Sequence, residues 1–154
     1  MKVIVAAVGA PRDPALAAAI REYESRAARY WPLEVREARG ESGRGASAAQ
    51  VREREGERLL ALLPAGGSVL ACDAGGTEMT SERFAEWLQR EREGARDVAF
   101  VIGGAFGLSA AVKQRAQRRL ALAPWTLPHE LARLVLAEQL YRAGTIRRGE
   151  PYHK

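Results

Sequence analysis

Few side chains in this sequence suit catalysis by familiar means. There are two histidines and a single cysteine, Cys72, so the chain has no internal disulfide and no cysteine cluster for zinc. His129-Glu130 begins an apolar stretch, but Arg133 stands where a zinc-protease helix needs its second histidine. Gly40 and Gly45 have the spacing of a phosphate-binding loop, yet Ala46 takes the place of the lysine that would reach the phosphate. A metal site would have to be mostly carboxylate, and none is indicated.

Three other stretches carry more promise. The apolar run Val98–Ile102 ends in Gly103-Gly104-x-x-Gly107. Glycines there permit close backbone approach by a ligand, or simply a tight packing turn. Their spacing is not that of a dinucleotide fingerprint. The second stretch is Leu122–Leu127, LAPWTL. Pro124 removes a backbone donor and suits an irregular loop. Unpaired amides and carbonyls among apolar side chains can bind the edge of a purine, with Leu122, Trp125 and Leu127 about its faces. From the residues alone, an ordinary buried connection is the stronger reading. The third stretch is the end of the chain, where Arg147, Arg148, Tyr152, His153 and Lys154 gather. Cations beside aromatics suit phosphate contact and base stacking. A frayed, solvated terminus is the competing reading.

These stretches need elements to position them. Lys2–Val8, Leu33–Ala38, Ser68–Cys72, Asp97–Ile102 and Leu120–Ala123 read as strands. Asp13 is an N-cap candidate before Pro14, and Leu16, Ile20, Tyr23, Ala27 and Tyr30 follow at helical spacing as far as Pro32. Ser47 and Gln50 form a capping-box pattern ahead of a helix broken at Pro64. Thr80 or Ser81 caps a helix burying Phe84, Trp87 and Leu88 and closed by Gly94. Ser109 caps a short helix. Pro128–Ala143 is a last, strongly apolar helix on which Glu138 and Arg142 stand four apart and can pair. Strands alternating with helices imply an α/β fold with a mostly parallel sheet. Ligands of such sheets bind beyond the carboxyl ends of the strands. Cys72-Asp73, Gly103-Gly104 and Leu122–Leu127 all fall there, so two buried strand ends and a proline loop are expected to form one pocket.

Size and charge narrow the partners. The 154 residues suggest one domain over 1–154 with a sizeable core. The apolar runs are far shorter than the ~20 residues that span a bilayer. The N-terminal run reads as a first strand rather than a signal peptide, and the cytoplasm is the expected compartment. A net charge of +5 and a pI near 9.9 favour a polyanionic partner, nucleic acid first. An arginine-rich composition alone can also produce that charge.

Taken together, Val5–Gly9, Glu53–Leu60, Phe100–Ser109, Leu120–Ala143 and Arg148–Lys154 resemble the ribosomal RNA large subunit methyltransferase H family, a minimal SPOUT class. The IGG-x-x-GLS, TLPH-x-x-x-R and YRA…PYHK elements carry the likeness, in order and over the full length. The resemblance implies a SPOUT-type parallel sheet with helices on both faces and a C-terminal trefoil knot. It implies S-adenosylmethionine as methyl donor, a homodimer, and methylation of N3 of a pseudouridine in a 23S ribosomal RNA hairpin on the assembled ribosome. Carried onto this chain, the cofactor pocket is Cys72, Gly103, Leu122, Ala123, Pro124, Trp125, Thr126 and Leu127. Arg142 and His153 fall in the part that handles substrate. Cys72 stands where leucine is common, and the variable side chains of LAPWTL fit recognition through the backbone. Alternatives are a SPOUT enzyme acting at another RNA site, a non-catalytic ribosome-assembly factor, and a nucleotide-binding protein unrelated to RNA.

Overall fold

A computed structural model describes residues 1–154. Its strands are β1 (Val3–Val8), β2 (Leu33–Ala38), β3 (Ser68–Glu78), β4 (Val98–Ile102) and β5 (Arg118–Ala121). Its helices are α1 (Pro14–Ala27), α2 (Ala48–Leu62), α3 (Ser81–Glu93), α4 (Ala110–Arg115) and α5 (His129–Arg148), followed by a 3₁₀ turn at Pro151–His153. All strand pairs are parallel, in the order β2-β1-β4-β3-β5.

The two central strands β1 and β4 are buried at every residue, as a sheet covered on both faces requires. Alternation along the strands divides the core. Val5, Leu70, Phe100 and Ile102 pack against α1, α3 and α5. Ile4, Ala6, Val69, Ala99 and Val101 face α2 and α4. The result is a layer of helices on either side of the sheet. The Trp31 indole N–H donates to the Leu140 carbonyl at 2.8 Å, tying the end of α1 to α5 without leaving a polar group unpaired in the core.

Several local signals take effect as the sequence suggests. Asp13 caps α1 through the Leu16 N–H, Ser47 and Gln50 form both halves of a capping box, and Thr80 and Ser109 cap α3 and α4. Gly94 stands at the C-cap of α3.

Four boundaries differ from the sequence reading. Helix α1 stops at Ala27, and Tyr30 lies in the turn beyond it. Strand β3 continues to Glu78, with a register irregularity between Cys72 and Thr77 where a glycine loop was expected. A Cβ on Gly76 would lie 2.6 Å from the Arg119 carbonyl carbon, so the glycine is what lets β3 pass directly against β5. Strand β5 begins at Arg118, not Leu120, because an edge strand tolerates exposed arginines that an apolar-run reading passes over. That shift releases Leu122 and Ala123 into the following loop. Helix α5 runs through Gly144 to Arg148, where Gly149 caps it in the left-handed conformation with φ 67°. Gly144 does not end the helix. Its missing side chain gives the Tyr30 ring room to pack on α5.

Candidate cofactor pocket and the C-terminal cluster

Beyond the carboxyl ends of β3, β4 and β5 lies a cavity of about 620 Å³. Its wall includes Cys72 from β3, Gly103 after β4, and Leu122, Ala123, Trp125, Thr126 and Leu127 from the loop after β5. Pro124 belongs to the same loop but is not part of the wall. Asp73, Gly104, Gly107, His129 and Ala132 also line the cavity, and sequence reasoning did not choose them as site residues. The signal for Asp73 and Gly104 was present, since both sit at strand ends.

The loop after β5 has an unusual backbone. None of residues 122–127 takes part in a backbone–backbone hydrogen bond. These residues are half-buried or exposed, so their amides and carbonyls are left accessible to a ligand entering the cavity. The glycine turn has a different explanation. A Cβ on Gly103 would lie 2.6 Å from the Gly107 carbonyl carbon, and one on Gly104 would lie 2.7 Å from a Glu55 carboxylate oxygen. Gly107 has φ 80°, and Gly104 and Gly107 form an antiparallel bridge. Packing within the protein therefore accounts for these glycines.

The cavity offers little reactive chemistry of its own. Burial pushes the Cys72 thiol up to about 12, so it remains a neutral wall rather than a nucleophile. Burial works against ionisation of Asp73, but hydrogen bonding to Arg119 and the charge of Lys113 outweigh it and hold the carboxyl below its usual range. Asp73 pairs with Arg119 and with Lys113 Nζ at 3.5 Å. Trp125 lines the cavity and is 76% exposed, so it stands at the cavity's edge in contact with solvent.

The second half of α5 is different in kind. Arg142 Nε donates to Glu138 Oε1 at 3.0 Å, the pair expected from their spacing. The guanidinium also lies 4.9 Å from the centre of the Tyr152 ring. The Tyr152 hydroxyl donates to the same Glu138 oxygen at 3.1 Å, and its ring packs on Tyr141 at 4.6 Å between centroids. The Glu138 hydrogen bond raises the affinity of Arg142 for its proton, so it stays a cation. Burial, and then the hydrogen bond with Tyr23, hold the Tyr152 phenol neutral well above the usual range. His153 sits at the end of the 3₁₀ turn with its Nδ1 buried and without a hydrogen-bond partner. The terminus is thus folded back on α5 rather than frayed.

Arg142 and His153 share this cluster, and neither lines the cavity. Ala132, the last cavity residue on α5, stands ten positions before Arg142, about 15 Å along a helix rising ~1.5 Å per residue. Between the two regions, Arg133 is only 6% exposed and holds Glu24 and Glu37 at 2.8 Å each, locking α5 to α1 and β2.

A family model described as "Predicted SPOUT methyltransferase" matches residues 1–153. A Gemmatimonas aurantiaca protein named ribosomal RNA large subunit methyltransferase H is 66% identical over 154 residues, covering 100% of both chains. A protein of the same name from an Anaeromyxobacter species is 53% identical, again over 100% of both. The chain belongs to the ribosomal RNA large subunit methyltransferase H family of SPOUT methyltransferases.

Solved structures support the architecture of this family member. One of a probable methylase family protein from Haemophilus influenzae Rd KW20 aligns with TM-score 0.56 at 13% identity, over 99% of this chain and 70% of the other. One of a probable methyltransferase from Bordetella pertussis Tohama I aligns with TM-score 0.55 at 17% identity, over 92% and 93%. At such identities the likeness concerns the fold alone. In the SPOUT chain described here, no group of three or more His, Cys, Asp or Glu side chains is arranged to hold a metal ion. No helix is long and apolar enough to cross a membrane.

Proposed function

We propose that this chain is a methyltransferase of large-subunit ribosomal RNA that uses S-adenosylmethionine. Its acceptor is N3 of a pseudouridine in a 23S RNA hairpin, and it acts in the cytoplasm on the assembled ribosome as a homodimer. The observation that carries the cofactor assignment is the unpaired backbone of residues 122–127 along an apolar cavity. Those amides and carbonyls match the hydrogen-bonding edge of an adenine. The walls of Cys72, Gly103, Leu122 and Leu127 match its faces and a sulfonium that favours little water. Ala123 and Thr126 complete the loop, Pro124 bends it, and the Trp125 backbone continues it. Bound there, S-adenosylmethionine supplies an electrophilic methyl group.

The chain's own residues then serve the acceptor. The imide N3–H of the base must lose its proton. Arg142 remains a cation and is suited to orient the base and stabilise the resulting anion. His153 is the candidate to take the proton, because an imidazole nitrogen can accept one and its Nδ1 has no hydrogen-bond partner in the structure. A second copy of the chain is part of this reading. About 15 Å of helix separates the cavity from Arg142 within one subunit, so the C-terminal cluster of one subunit would complete the cavity of its partner. The close pass of β3 against β5, followed by the return of α5 to the α1–α3 face, supports a C-terminal trefoil knot within one domain over residues 1–154.

The test is transfer of labelled methyl groups to intact ribosomes and to free large-subunit RNA, with the product located by mass spectrometry. Methyl-pseudouridine on ribosomes is the expected product. Methylation elsewhere, or no transfer together with no S-adenosylmethionine binding in calorimetry, would overturn the proposal. Sedimentation tests the dimer, and a monomer at micromolar concentration would rule it out.

A further inference from the structure

Two large hydrophobic residues stand well out in solvent, Trp125 at 76% exposed and Phe106 at 48%. The other two tryptophans are buried in the core, Trp31 at 1% and Trp87 at 5%. Scattered exposed apolar residues need no explanation. These two are not scattered. Trp125 belongs to the loop after β5 and Phe106 to the glycine turn after β4, and residues of both loops line the same cavity. The turn is fixed by the contacts at Gly103 and Gly104, and Trp125 lies at the cavity wall with most of its surface in solvent.

We infer that Trp125 is a stacking platform for a nucleobase of the RNA substrate at the cavity mouth, with Phe106 of the glycine turn as a second, lesser apolar surface. The inference rests on the proposed function and adds a specificity residue on the substrate side of the site. An indole left in water at a cavity mouth gains by covering its face with another flat π-system, and every nucleobase offers one. The surroundings favour a polyanion over a protein partner. Arg118 and Arg119 are exposed on β5 shortly before the tryptophan loop; Arg119 is paired with Asp73, Arg118 makes no ion pair, and the whole chain carries +5. Strand and loop together present a cation available to phosphate followed by a stacking surface, the sequence of contacts a single RNA strand needs. A cofactor held by the loop's backbone leaves the indole free for this second task.

The experiment uses the full-length protein with intact ribosomes as substrate. Trp125→Ala should raise the KM for ribosomes about tenfold, consistent with the ~1–3 kcal/mol typical of a stacked base, and leave kcat within about twofold. Trp125→Phe should recover most of the loss, and Trp125→Leu, which is apolar but not aromatic, should not. Phe106→Ala should give a smaller rise. Calorimetry with S-adenosylmethionine and sedimentation accompany each variant. An unchanged KM, rescue by leucine as good as by phenylalanine, lost cofactor binding, or dissociation of a dimer would each overturn the inference. Failure of the wild-type chain to methylate ribosomes would instead sink the proposed function, so the two failures are distinguishable.

Discussion

The two ends of α5 belong to regions built on opposite principles. At its start, the cavity is walled mostly by small and apolar residues, with Asp73, Thr126 and His129 among them, and the main-chain amides and carbonyls of residues 122–127 make no backbone–backbone hydrogen bonds. At its far end, Glu138, Arg142 and Tyr152 form a cluster whose polar contacts are all made by side chains. A backbone site tolerates many side chains provided the loop keeps its path. A side-chain site depends on each group it contains. The contrast teaches that substitutions should be mild along the first region and severe in the second, except where a side chain would block the backbone path itself.

The largest effect is expected at the side-chain end. Arg142→Ala should lower methyl transfer to ribosomes by about 100-fold or more, the usual cost of losing one group that stabilises developing charge, and keep S-adenosylmethionine binding in calorimetry. Normal turnover would abolish the division of labour. Next is the exception within the backbone region. Gly76→Ala places a Cβ 2.6 Å from the Arg119 carbonyl carbon, with main chain on both sides that cannot turn aside. Overpacking of this kind costs about 1–3 kcal/mol, or roughly 2–9 °C in Tm for a chain of this size, and should weaken cofactor binding with it. A wild-type melting curve would show that β3 and β5 do not pass so closely.

A pH-dependent effect comes third. Burial raises the Glu55 carboxyl above its ordinary value, with Arg58 only partly opposing it. A group held more readily protonated in the folded state favours folding most below its unfolded pKa and loses that contribution as pH rises through the folded one. Glu55→Gln should therefore raise Tm at pH 7 and leave it nearly unchanged at pH 4. An equal shift at both pH values would mean that the charge is not the cause. The smallest effect sharpens the comparison directly. Thr126→Val keeps the shape of the loop and changes only a side chain, so the calorimetric affinity for S-adenosylmethionine should move by less than about threefold. A tenfold loss would mean that the loop recognises its ligand through that hydroxyl.

How much was legible beforehand varied with the kind of signal. Capping residues act within one turn of chain, so Asp13, Ser47, Thr80 and Ser109 could be read directly and stand where expected. The pairing of Arg142 with Glu138 is equally local. The pocket was half legible. Its strand ends at Cys72 and Gly103 followed from apolar runs that stop, but the membership of His129 and Ala132 depends on how α5 approaches the sheet. The role of the glycines was not legible at all. Gly76, Gly104 and Gly144 are explained by Arg119, Glu55 and Tyr30, partners 43, 49 and 114 positions away in the sequence. The ends of β5 and α5 were misjudged for a related reason. Exposed arginines on an edge strand and a glycine inside a packed helix both look like interruptions until their neighbours are known.

The sequence by itself determined the alternation of strands and helices, the caps that start each helix, and the residue types available for chemistry. Those depend on local sterics and on hydrophobic period, which act over a few residues. Tertiary structure alone decided that residues 122–127 keep their backbone groups unpaired beside a cavity. It also folded Tyr152 back on Arg142, turned Trp125 outward, and set the cavity and the C-terminal cluster at opposite ends of one helix. The physical reason is that each of these depends on which distant surface fills the space beside a residue. That is settled only when the sheet and both helix layers pack together.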